Sequence, residues 1–201
     1  VTGVPLSGAA VEYPGVPPGA FTGSVTGGVI HLSNQAVAAA WRFDAGGLRT
    51  LSVQNVQTRT SLRLTGEVFQ VVLTHGQRYL ASSLEPDGKP RMRRLSPQSE
   101  AARLAARIPG QSVELPLRSA DGQLRVLWRA VALEGANYVR QEIEVTTARA
   151  ALGIQEIIWL DETISGARMA GRVDGSPLIA GDFFFGGEDP MADNRASPLA
   201  R

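Results

Sequence analysis

A chain of 201 residues, 43% apolar and 19% charged, has a globular composition and enough length to bury one sizeable core. A formal charge of +1 removes the electrostatic case for nucleic acid or an anionic membrane, and no run approaches the roughly 18 apolar residues that a membrane-spanning helix needs. The absence of cysteine excludes disulfides, thiolate catalysis and cysteine-ligated metal, while leaving the compartment open.

Glycine at 22 and proline at 12 suit a protein built from many turns. Lys89 is the only lysine, a bias we assign to the source genome. There is no starting Met and no charged-plus-apolar leader, so the chain is expected to begin after a removed signal or at an artificial boundary. Both ends read as cut.

Residues 1–27 are rich in Gly, Pro and small side chains and predict an extended lead-in, with Tyr13 and Phe21 as its large anchors. Residues 28–194 predict a single β domain, and residues 195–201 a linker-like tail toward a further domain. Val29–Ser33 and Ala36–Phe43 form a first strand pair around the Ser33-Asn34-Gln35 turn. Leu48–Val56, Ser61–Leu64, Glu67–Thr74 and Gln77–Ala81 continue as strands, and Glu85–Pro90 is a strong turn. Arg91-Met-Arg-Arg94 is a basic cluster too short to mark a nucleic-acid site and reads as a solvated face. Gln98–Ile108 contains good helix formers, yet it runs into Pro109-Gly110 and a strand-like partner, so strand is preferred to helix.

The clearest alternation follows. Val113, Leu115 and Leu117 interleave with Glu114, Pro116 and Arg118. After the Asp121-Gly122 turn, Leu124–Leu133 and Tyr138–Thr147 make two successive antiparallel hairpins. The face carrying Arg140, Glu142 and Glu144 is placed to pair with Arg125 and Arg129. Ile154–Leu160 is more continuously apolar than the strands before it and predicts a central strand. About a dozen strands at roughly 8–12-residue spacing predict an all-β fold, a large antiparallel β-sandwich.

The catalytic inventory is thin. His31 and His75 lack a metal-spaced partner, and there is no nucleophile elbow, phosphate loop or H-E-x-x-H. No metal and no cofactor are expected. Asp161-Glu162 reads as the polar end of a strand, and Trp41, Trp128 and Trp159 read as core rather than as sugar platforms.

The stretch Gly171–Asn194 stands out. A turn and a short apolar segment lead to Phe183-Phe184-Phe185, then a Gly-Gly turn bearing Glu188 and Asp189. Polar groups directly after an anchored aromatic run suit a ligand-facing loop, and the same pattern also fits a last core strand with an exit loop. If the strand is regular, Phe184 points away from its two neighbours, and the run closes the sandwich.

Leu124-Arg-Val-Leu-Trp-Arg-Ala130, Gly135–Glu144, Gly171–Asn194, Val29–Phe43 and Gly66–Leu73 together resemble the N-terminal β domain of large bacterial extracellular glycosidases. These are the α-galactosidase and endo-α-N-acetylgalactosaminidase-like enzymes. The resemblance covers about Gly28 to Asn194 and is one of pattern, without a catalytic signature. It implies a galactose-mutarotase-like supersandwich ahead of a (β/α)-barrel that carries the chemistry. The implied role is scaffolding and partly walling a glycan site in a secreted or cell-surface protein. Asp182, Phe184, Glu188, Asp189 and Asn194 are the candidates for the ligand or domain interface. The expected partners are a glycan and the downstream catalytic domain, with no nucleic acid and no membrane span. No pair of histidines with a glutamate matches the mutarotase acid–base machinery, so catalysis by this domain itself is not expected. A structural or adhesive sandwich, and a stand-alone epimerase or lyase, are the alternatives.

Overall fold

Short alternating segments separated by turn residues fold into strands because each can bury only one face, and that face must find another sheet. In a computed structural model, residues 15–148, 152–173, 175–189 and 191–196 are described; Tyr13, the whole of the lead-in before it and the end of the expected tail lie outside them. Strands Thr22–Thr26 (β1), Val29–Ser33 (β2), Val37–Asp44 (β3), Gly47–Asn55 (β4) and Thr60–Arg63 (β5) make an antiparallel meander in that order. The opposing sheet is built on Gly110–Arg118 (β10), Leu124–Leu133 (β11) and Arg140–Thr147 (β12). Glu85–Pro86 (β8) and Arg91–Leu95 (β9) both pair along the free side of β10. Glu67–Leu73 (β6) is the middle strand of a third sheet, between Arg78–Leu80 (β7) and Ile154–Asp161 (β13). The chain is all-β and antiparallel, a sandwich as its periodicity predicts.

One core joins these three sheets. The inward row Val113, Leu115 and Leu117 of β10 is at most 1% exposed, and Trp41 of β3 meets Trp128 of β11 edge to face with ring centroids 5.3 Å apart. An edge-to-face pair adds about 0.5–1.5 kcal/mol to what burial of the rings contributes. Trp128 Nε1 donates to Gln141 Oε1 at 3.1 Å, whereas Trp41 Nε1 is buried with no partner among the described residues. On the outer face of the second sheet, Arg129 bridges Glu114 at 3.3 Å and Glu144 at 2.9 Å, and Arg93 bonds Glu114 at 2.6 Å. The expected pairing across β11 and β12 therefore forms at Arg129, while Arg125 faces Thr146 in register.

Turns are set by close approaches as much as by composition. Gly47 has φ +78°, and a Cβ there would come within 2.5 Å of the Ala81 carbonyl oxygen, so only glycine lets β4 pass this turn.

Four expectations differ from the structure. The lead-in does not lie wholly ahead of the domain: its extended end is β1, which pairs with β2, and Phe21 is 2% exposed in the core. The Gly/Ser/Thr composition hid a strand that needs little side-chain burial because it is an edge. Gln98–Ile108 is neither strand nor helix; it holds only a 3-10 turn at Leu104–Arg107. Its alanines offer too little apolar area to pin either form, and Leu104 is 68% exposed. Ile154–Asp161 is an edge strand, because nothing pairs with its outer side among the described residues. Phe183–Phe185 does not close the sandwich but belongs to a separate small sheet.

Removing the ring at the centre should cost most. Trp128→Ala is expected to lower stability by about 3–5 kcal/mol, read as a fall in urea midpoint, whereas Leu104→Ala should stay within about 0.5 kcal/mol.

Candidate functional site

The C-terminal sheet comprises Arg168–Met169 (β14), Leu178–Ala180 (β15) and Phe183–Phe185 (β16), all antiparallel. Ala180 pairs with Phe183, leaving Gly181 and Asp182 as a two-residue turn. Gly181 takes φ +57° at the first turn position, which a tight hairpin of this kind assigns to glycine. Strand alternation then decides the aromatics: Phe183 and Phe185 are half-buried and Phe184 is 67% exposed. The exposed ring stays close to Gly186, where an added Cβ would lie 3.5 Å from Phe184 Cε1.

The hairpin is pinned to the first sheet. Asp182 Oδ2 accepts from Thr58 Oγ1 at 2.8 Å and from Thr60 Oγ1 at 2.9 Å, both at the β4–β5 turn. Arg59 between them sits at φ +59°, an uncommon backbone for a residue with a side chain, and so lets both hydroxyls reach one carboxylate. The hydroxyls of Thr58, then Thr60, hold the Asp182 carboxyl below its ordinary value.

The other candidates are drawn into the same segment. Glu188 lies 3.5 Å from Arg140 Nη1, and Arg140 also bonds Glu142 at 2.8 Å. Asp189 Oδ1 accepts the Met191 N–H at 2.8 Å, a loop-internal turn. Asn194 Nδ2 donates to the Gly175 and Ser176 carbonyls, at 3.1 Å each, which ties the exit of the loop back to the start of β15. Asp182 and Asn194 thus fasten the segment, Glu188 links it to β12, and Phe184 stands clear. Thr58, Thr60 and Arg140 carried no sequence signal as partners of this loop, since each depends on a contact across the fold.

Elsewhere the acids serve turns. Glu162 is not merely the polar end of a strand: Oε2 accepts the Thr65 and Gly66 N–H groups at 2.6 and 2.5 Å, and Oε1 accepts Thr65 Oγ1 at 3.1 Å. Asp161 Oδ2 accepts from Gln70 Nε2 at 3.0 Å. Glu67 takes both the N–H and the hydroxyl of Ser82. His75 Nε2 bonds Gln77 Oε1 at 3.1 Å. Among the described residues no three His, Cys, Asp or Glu side chains gather as a metal site. Trp41 and Trp128 are core, whereas Trp159 is 40% exposed, against the sequence reading.

The pinning contact has a pH signature. Because the folded Asp182 carboxyl is held below its unfolded value, its stabilisation is present above the usual aspartate range and is lost as pH falls through the folded value. Thr58→Val with Thr60→Val should move Asp182 protonation upward in a carboxyl NMR titration and loosen the β15–β16 hairpin at neutral pH.

Comparison of the chain with protein-family models, with curated proteins and with solved structures found no match.

Proposed function

We propose that this chain is a non-catalytic domain of a secreted or cell-surface carbohydrate-active enzyme. It scaffolds a glycan site and partly walls it, in company with a downstream catalytic barrel. The observation that carries the reading is Phe184: a large apolar ring, 67% exposed, on a hairpin whose turn is hydrogen-bonded to a second sheet. A ring held in the open on a rigid hairpin suits the apolar face of a pyranose, and the neighbouring Glu188 and Asp189 loop brings acceptors suited to hydroxyls. The resemblance of Gly171–Asn194 and of the two hairpins before it to the N-terminal domains of bacterial glycosidases supports the same assignment. The fold agrees with that resemblance at the level of an all-β sandwich.

Asp182 and Asn194 act here as supports, since their polar atoms are engaged by Thr58, Thr60 and two carbonyls. Phe184 and Glu188 are the residues that face the sugar or the neighbouring domain. A glycan array and calorimetry with galactose- and N-acetylgalactosamine-terminated glycans test direct contact. Phe184→Ala is expected to weaken binding about tenfold, or about 1.4 kcal/mol, with an unchanged urea midpoint. Wild-type binding that Phe184→Ala leaves intact would remove this surface from the glycan site, and a flat array would reduce the domain to a scaffold.

A further inference from the structure

β13 exposes large apolar side chains at the rim of the sheets that share the core. Ile154, Ile157 and Trp159 are 40%, 37% and 40% exposed, while β6 beside it is buried at every position from Val68 to Leu73. The register pairs Trp159 with Phe69 and Ile157 with Val71, both 0% exposed. Directly opposed residues of an antiparallel pair point to the same face. Ile157 and Trp159 therefore face the core side of the sheet but stand at its rim, with the Trp159 ring edge-to-face on Phe69 at 6.1 Å. The outer edge of β13 has no strand partner among the described residues, so its outward backbone donors and acceptors have no ladder partner among them.

Exposed edges are ordinarily shielded by cations or proline. The edge at β9 is: Arg91, Arg93 and Arg94 line it. β13 is not. From Leu152 to Ala167 there is no Lys, Arg or Pro; Asp161 and Glu162 are bonded to Gln70 and to Thr65 and Gly66, which leaves Glu156 as the acid of the edge. Arg78, on the far strand of the same sheet, is turned to Gln70 at 3.0 Å. A register shift lies between Ile154 and Glu156, and Leu160 at φ +50° breaks the extended backbone, so the regular part of the edge runs from Glu156 to Trp159.

We propose that this edge accepts an extended strand of a partner domain, in which apolar side chains alternate with lysine or arginine. The apolar set continues the face of Ile157 and Trp159 over the rim of the core, and the basic set lies on the face of Glu156. Strand addition supplies main-chain hydrogen bonds, and the alternation selects the partner. A second copy of this chain is the wrong occupant through β13 itself, because neither edge would carry a cation to answer the other's Glu156. The partner is the catalytic domain assigned above; that identity rests on the proposed function, whereas the pairing chemistry does not.

The test uses the chain with two capped eight-residue peptides, one alternating valine with lysine and one alternating valine with glutamate. Amide hydrogen exchange across Glu156–Trp159 is expected to slow at least tenfold with the lysine peptide and to stay unchanged with the glutamate peptide. Glu156→Lys, at an exposed position, should reverse that preference. Ile157→Lys should abolish the protection with either peptide. The inference is overturned if neither peptide protects β13, if both do so equally, or if light scattering shows that β13 is occupied by a second copy. A glycan result leaves this outcome untouched, so the two readings fail separately.

Discussion

The packing of Trp41 against Trp128 is the contact on which the rest of the architecture depends. It is the point where the meander of β1–β5 and the sheet around β10–β11 touch through their largest side chains. Two twisted sheets whose inner faces alternate apolar and small residues need bulky rings somewhere to fill the gap between them. Here the rings do so at 2% and 0% exposure, and Ile30, Leu32, Leu115 and Leu117 fill the remaining space around them. One indole N–H is answered by Gln141 and the other is not. Leaving a buried donor unanswered costs about 1–3 kcal/mol, a cost that burial of the Trp41 ring outweighs.

A second theme is the use of carboxylates as fasteners. Glu162 gathers two backbone N–H groups and a hydroxyl from Thr65 and Gly66; Glu67 gathers Ser82; Asp121 takes Ser119 Oγ, Tyr79 Oη and the Gln123 N–H; Asp182 takes Thr58 and Thr60. An all-β protein has many turns whose donors lie outside any ladder, and a short acid is a compact way to answer several of them at once. The electrostatics follow: Ser119 first, then the Gln123 N–H, holds Asp121 below its ordinary value. Burial first, then Asp121, pushes the Tyr79 hydroxyl up. Glu114 is pushed up by burial, but Arg93 and Arg129 outweigh that and leave it lowered. Carboxyls lowered in this way, as those of Asp121, Asp182 and Glu114 are, are poor general acids at neutral pH.

Legibility in the sequence tracked how much each segment depends on its own pattern. The Val113, Leu115, Leu117 row and the Asp121-Gly122 hairpin were readable because period-two burial and a two-sided turn signal sit in the same short stretch. The alternation of Phe183–Phe185 was readable for the same reason. β1 was not, because Thr22–Thr26 has no apolar row and becomes a strand only when β2 offers it a ladder. Ile154–Leu160 reads as central from its apolar content, yet it is an edge, because apolar content tells of hydrophobicity and not of neighbours. Trp159 changes with it from core to rim.

What the sequence by itself determined is the class of the fold: turn residues at short spacing, alternating apolar positions and too little helix-forming length leave antiparallel sheet as the way to bury the core. It also placed Phe184 on the opposite side of its strand from Phe183 and Phe185, since that follows from the backbone repeat alone. Only the tertiary structure decided which strands are edges, which acids are already engaged, and which ring is left in the open. Those outcomes depend on partners such as Thr58 for Asp182 and Arg140 for Glu188, 124 and 48 residues away along the chain. A contact over that distance is chosen by how sheets pack, and no local pattern records it.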